Sequence, residues 1–387
     1  MVEQVEYVVV GLGAFGSATA YALARGGADV LGLEQFELGH VRGASHDTSR
    51  ILRHSYHTPG YVALTVAAYD DWASLEREAG ERLVTVVGGL DLFPSEATVP
   101  VTDHTGSLSA NDVPYEVLEP SEVQQRFPQF VLPPGTVGLY QQRAAIVPAA
   151  RGTQTMQQMA RAHGARLQDR CVVTAVRDRG DAGIDVDAGG QTYRCRRLVV
   201  CADAWTNRVL EGLDVRLPLK TTQEQFSYFA PADPAAFAPG RMPLWIWLGE
   251  QSFYGFPCYG DATVKVAQDC GGPPVTGDSR SFDPDPGREA LVADFVARTL
   301  PGIGRPVRSK TCLYTLTPER DFALGPVPGH SAAFAAIGAG HGFKFSPTIG
   351  RLLAELATTG ECTADIGPFR LDRPVMVDPP PVDEWAV

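Results

Sequence analysis

The stretch YVVVGLGAFGSATAYALARGGADVLGLE, from Tyr7 to Glu34, constrains the fold more than any other part of the chain. Tyr7 to Val10 read as a strand buried on both faces, as in a parallel sheet. Gly11, Gly13 and Gly16 follow with GxGxxG spacing, and Ser17 to Ala24 read as a small-residue helix able to lie close to the sheet. Val30 to Leu33 form a second strand, ended by Glu34, which stands 18 residues beyond Gly16. Glycines there let backbone approach a pyrophosphate, and the helix N-terminus supplies N–H donors and positive potential. An acid near this spacing accepts from a ribose hydroxyl, and an acid rather than a base disfavours a 2′-phosphate. Strand, turn, helix, strand and acid in this order predict a dinucleotide site. The motif alone does not separate FAD from NAD.

The remainder of the chain bears on that choice. RCRRLVVCADAWTNRVL (Arg194 to Leu210) reads as another buried strand leading to a helix. AAFAAIGAGHGFKFSPTIGRLLAELATTG (Ala332 to Gly360) reads as a third strand, a glycine turn and a helix. One parallel sheet is therefore drawn from the start, middle and end of the chain. Between these pieces VVGGLDLFPSE, EQFSYFAP and LWIWLGEQSFYGFPCYGDATVKVAQD are aromatic-rich with period-2 alternation, the pattern of an antiparallel sheet. At 387 residues the chain is too long for one compact core. The fold class expected is α/β (α+β overall), a Rossmann-like FAD-binding domain with an inserted, mainly antiparallel β-sheet substrate domain. Residues 1–85, 145–220 and 320–387 are assigned to the first, 86–144 and 221–319 to the second. Such an interrupted nucleotide domain suits a flavoprotein better than a nicotinamide dehydrogenase. No internal repeat or low-complexity tract is seen, and the tail DPPPVDEWAV reads as polar coil.

A net charge of −12 argues against nucleic acid or an anionic membrane as partner. No apolar run reaches the length of a membrane span, and the acid-containing lead MVEQVEYVVV has no basic region of a secretory signal. The seven cysteines, Cys171, Cys195, Cys201, Cys258, Cys270, Cys312 and Cys362, form no CxxC pair. That usage predicts a reducing cytoplasm, with no disulfide frame and no metal site. His54, His57, His104, His163 and His330 lack metal-like spacing, and His341 is either a turn residue or faces the cofactor. GASHDTS is not a nucleophile elbow.

Several motifs in order resemble the monomeric sarcosine oxidase and N-methyltryptophan oxidase family, within the FAD-dependent amine oxidoreductases of the D-amino-acid oxidase type. They are the N-terminal GxGxxG, GASHDTSRILRHSY (Gly43 to Tyr56), FYGFP followed by VKVAQD (Phe253 to Asp269), KTCLYTLTP, and GAGHGFKFS (Gly338 to Ser346). The resemblance covers nearly the whole chain. It implies FAD held covalently through Cys312, as a thioether to the flavin 8α carbon. It implies that Arg53 and Lys344 grip a substrate carboxylate, that Arg50 and His46 sit by the flavin, and that Lys265 activates oxygen. Tyr254 and Tyr314 match active-site aromatics. Gly11, Gly13, Gly16, Glu34, Ser45, Arg50, Val173, Gly340, Gly342, Phe343 and Lys344 are the positions assigned to the cofactor. The implied reaction is oxidation of a C–N bond of an N-methyl or secondary amino acid, with O2 reduced to hydrogen peroxide, by a monomer.

The chain departs from the family at three places. GASHDTSR replaces a pattern like GSSHGETR, so Asp47, Thr48 and Ser49 change the turn beside the flavin. Asp269 stands where sarcosine oxidases carry a histidine near the substrate amine; an anion there raises the amine pKa and predicts an alkaline-shifted rate profile or a substrate whose amine lies farther from position 269. Asp203 stands in CADAW where relatives show glycine. Alternatives are an oxidase of cyclic or bulkier amino acids (proline, pipecolate, N-methyltryptophan), an NAD-dependent dehydrogenase, and a flavin-binding module without turnover. The residues themselves support chemistry at Cys312. Strand alternation from Thr311 to Thr315 puts Cys312 and Tyr314 on one face, and Arg308 and Lys310 upstream are cations that would favour a thiolate.

Overall fold

A computed structural model describes residues 2–385. The first sheet has a parallel centre in the spatial order His330–Ile337, Gln191–Val200, Val2–Val10, Val30–Leu33, Arg166–Gln168. Antiparallel strands Val173–Asp178, Ile184–Ala188 and Ala323–Val327 complete it. The first strand begins at Val2, five residues before the apolar run, because Val2 to Val5 pair with Thr192 to Cys195. The helix after the glycine turn spans Ala14–Arg25, also longer than its small-residue core. It lies between the helices Ala149–Ala162 and Ser346–Thr359.

The second sheet also has eight strands, in the order Ile303–Leu316, Lys220–Pro231, Val264–Gln268, Ser252–Phe256, Leu244–Leu248, Gly89–Phe93, Val137–Gln141, Glu116–Leu118. Every pairing is antiparallel except Leu244–Leu248 with Gly89–Phe93. Its aromatic alternation is explained by packing. Phe253 stacks on Phe295 at 4.0 Å, and Trp245 and Trp247 lie against the same ring. Phe295 belongs to the helix Pro286–Thr299, whose start Asp285 caps by accepting from the Gly287 and Arg288 amides. A small sheet of Arg50–Leu52, Ala145–Val147 and Thr85–Val86 joins the two layers.

Part of the polar tail is ordered: Trp385 is buried and its indole donates to the Pro380 carbonyl. Met1, Ala386 and Val387 lie outside the described residues. Among the described residues, no helix is long and apolar enough to cross a membrane, and no group of His, Cys, Asp and Glu could hold a metal ion.

Candidate active site

A cavity of about 1390 Å³ opens between the two large sheets. It lies beyond the carboxyl ends of the parallel strands, where open α/β sheets bind ligands. Its volume exceeds that of an ordinary drug-sized site.

One wall is the glycine turn. Gly11 has φ of +87°, and a side chain there would strike the Cys201 carbonyl. A Cβ on Gly16 would lie 1.8 Å from the Gly11 oxygen, so Gly16 does not line the cavity; it lets the helix sit on the strand. Gly13 caps that helix without a capping side chain. Glu34 is buried at the cavity edge, accepting from the Leu12 and Phe36 amides. Ser45 Oγ accepts from the Ala14 amide at 2.9 Å. Val173, Gly340, Gly342 and Phe343 also line the cavity.

The opposite wall comes from the second sheet. Cys312 is 4% exposed and lies with Phe226, Tyr254 and Tyr314, so the strand alternation places its thiol beside the tyrosine as expected. The cations acting on that thiol differ from the expectation. Arg308 pairs with Asp261 at the surface and Lys310 with Asp47. Burial pushes the Cys312 thiol up to about 11, while Arg50, Lys265 and Arg280 draw it down. Arg50 lines the cavity with its guanidinium donating to the Ser49 and Ala44 carbonyls.

Arg53 and Lys344, 291 positions apart in sequence, meet at Tyr56. The Arg53 guanidinium lies 5.2 Å from the Tyr56 ring centre, and Lys344 Nζ donates to the Tyr56 hydroxyl at 2.8 Å. Asp91 holds Arg53 at 2.6 Å and is buried. Among the described residues Lys344 is buried without a carboxylate partner; burial, with Arg53 and Arg320 nearby, brings its amine down to about 7. His341 also lines the cavity, bridging Tyr56 and the Arg320 carbonyl. Burial holds its imidazole well below its usual range, so it is neutral at pH 7.

Three further positions differ from the sequence reading. Asp269 lines the cavity, but Arg320 grips both of its oxygens at 2.9 Å. The lone anion expected beside the amine is therefore a neutralised pair, and the alkaline shift argued from it loses its cause. Lys265 and His46 stand one layer behind the cavity wall instead of on it. Lys265 lies over Phe226 in a buried ion pair with Asp47, and His46 lies 6.3 Å from the Phe226 ring, its Nε2 without a partner among the described residues. Asp91, Arg320, Tyr56 and the partnership of Asp47 were not read from the sequence. Asp91 alone left a signal, a charge inside the apolar strand GGLDLF.

Asp203 and Thr315 also line the cavity; burial lifts the Asp203 carboxyl to about 6, and the Thr315 hydroxyl beside it opposes that rise. The glycine turn, the buried Glu34 and the cavity's size fit a bound dinucleotide.

The FAD dependent oxidoreductase family matches residues 6–356. The chain belongs to that family. Among these oxidoreductases, the monomeric sarcosine oxidase of Streptomyces avermitilis is 33% identical over 373 residues, 94% of this chain and 96% of that one. The human peroxisomal sarcosine oxidase is 32% identical, covering 95% of each. Of solved structures, NikD, an unusual amino acid oxidase essential for nikkomycin biosynthesis, superposes with a TM-score of 0.84 at 26% identity, over 95% of this chain and 98% of that one.

Proposed function

We propose that this FAD-dependent oxidoreductase is a covalent-FAD oxidase of N-methyl or secondary amino acids, sarcosine-like in substrate size, working as a cytoplasmic monomer with O2 as second substrate. The observation that carries this reading is the meeting of Arg53 and Lys344 at Tyr56, in the cavity that also carries Cys312, Tyr254 and Tyr314. Two little-exposed cations side by side on the cavity wall suit a carboxylate, Arg53 as a planar fork and Lys344 as a point charge. Asp91 keeps Arg53 in place; Tyr254 and Tyr314 wall the reacting end.

Residues 1–85, 145–220 and 320–387 would form the FAD-binding domain. Gly11, Gly13, Glu34, Ser45 and Val173 would hold the dinucleotide, and Cys312 would tether it. Residues 86–144 and 221–319 would supply the substrate wall. When bound, FAD supplies the two-electron acceptor for hydride from the carbon beside the amine and the route by which those electrons reach O2. The amine nitrogen gives its proton to solvent, and water hydrolyses the resulting imine, to formaldehyde and an amino acid for an N-methyl substrate. Two electrons and two protons convert O2 to hydrogen peroxide. Behind the wall, the Lys265 ammonium offers positive potential to charge developing on oxygen.

Apolar lining by Ile246, Leu248 and Tyr254 favours, as a second reading, cyclic or bulkier amino acids such as proline, pipecolate or N-methyltryptophan. Peroxide release across a panel of sarcosine, other N-methyl amino acids, proline and pipecolate separates these. Turnover of the N-methyl acids over the cyclic ones supports the first reading, and the reverse order the second. A yellow protein that releases no peroxide with any amine overturns both.

A further inference from the structure

The turn before Arg50 holds a residue in a conformation it does not favour. Asp47 has φ of +82°, where a side chain is strained. Its buried carboxylate meets donors from three adjacent strands of the second sheet. Lys265 Nζ and the Tyr228 hydroxyl each lie 2.6 Å from Oδ2, and Lys310 Nζ lies 3.1 Å from Oδ1. Such strain persists only where the surroundings over-determine it. Lys265 is equally fixed: it is 3% exposed, 4.2 Å from the Phe226 ring centre and 5.3 Å from that of Phe256.

Composition bears on why this cation is a lysine. Of 33 basic residues, only Lys220, Lys265, Lys310 and Lys344 are lysines. Lys344 is buried at the cavity, Lys265 is buried one layer behind its wall, and Lys310 shares the carboxylate of Asp47. Arginine stays charged in any surroundings, whereas a buried lysine takes its charge from its neighbours. The chain places lysine where the charge can be set.

We propose that Asp47 is a positioning residue for Lys265, holding its amine charged and fixed behind Phe226 and Arg50, so that the pair sets the positive potential at the rear of the cavity. The proposal rests on the reading above, in which Lys265 serves the oxygen step. The groups facing this amine are Asp47 and Arg50 from the turn and the strand it leads into, His46 beside them, Tyr228, and Lys310 with Cys312. Burial and Arg50 bring the Lys265 amine down to about 8, and Asp47 opposes them. Without the carboxylate the amine would be a buried cation with no counter-charge, and it would shed its proton.

Four lysines make the titration readable. In holoenzyme labelled at lysine Cε with carbon-13, the Lys265 resonance is assigned by its loss in Lys265→Met. Asp47→Asn keeps the side-chain shape and tolerates the left-handed backbone. It is expected to lower the Lys265 midpoint by about one to three pH units while leaving that of Lys344 in place. Asp47→Gly, which removes both carboxylate and strain, should give the same shift. The pH at which air reoxidation of the reduced enzyme slows should move down equally in both variants and vanish in Lys265→Met. A Lys265 midpoint unchanged in both Asp47 variants overturns the proposal, as does an equal shift of Lys344, which would mean general loosening. Wild-type reoxidation in Lys265→Met would overturn the oxygen reading instead, and the titration would still decide the role of Asp47.

Discussion

Arg53 and Lys344 present one sign of charge to the cavity by different means. Asp91 holds the Arg53 guanidinium in place. Lys344 carries charge only below its midpoint of about 7. A base is protonated below its pKa, so as pH rises through that value the free enzyme loses one of its two cations. The expected outcome is that kcat/KM for an amino acid falls on the alkaline side, and that Lys344→Arg removes this fall. Alanine at either position should lower kcat/KM by at least about tenfold, the loss of a charge-assisted bond worth about 1.5–3 kcal/mol. Equal turnover of the decarboxylated amine would remove the carboxylate from the account. Cys312 carries a separate prediction. Acid-precipitated protein should stay yellow, with FAD mass on the peptide containing Cys312, and Cys312→Ala should release FAD to the supernatant. Free FAD from the wild type would leave Cys312 as core. The placement of Cys312 beside Tyr314 could be read from strand alternation, whereas Arg53 and Lys344 were singled out by the family resemblance. The pairings of Asp47 and Arg320 were not legible, since their partners Lys265 and Asp269 lie 218 and 51 residues away and only the folded sheets bring them together.

At the level of elements, the glycine turn and aromatic strands could be read because period and turn chemistry are local properties. The first five positions of the opening strand could not. VEQVE alternates too weakly to announce a strand, and its extension depends on pairing with the Gln191–Val200 strand far along the chain. The contact between the helices Ala14–Arg25 and Ser346–Thr359 was likewise hidden. There Gly350 lies so close to Ala18 that a Cβ would stand 2.4 Å from its carbonyl carbon. Gly350→Val should force the helices apart at a cost of about 1–3 kcal/mol, and through the helix that carries the glycine turn it should loosen the cofactor. Thermal unfolding several degrees lower, with less FAD per chain, is the expected result; wild-type values for both would show that the contact tolerates the extra bulk.

For the whole molecule, the ingredients of a nucleotide sheet and an antiparallel sheet were legible, but the cavity between them was not. Its walls come from positions as distant as Gly11 and Lys344, and their meeting is a property of topology. The same arrangement sets an order of events during synthesis. The glycine turn leaves the ribosome about 330 residues before the helix Ser346–Thr359, one of the two that pack on Ala14–Arg25. At about 5–20 residues per second that interval is roughly 15 to 70 s. Through it the first helix lacks the second of its two neighbours, and for most of it Cys312 has not yet been made. A complete cavity therefore needs residues made early and late, and the full set of walls for the cofactor exists only once Lys344 has been added.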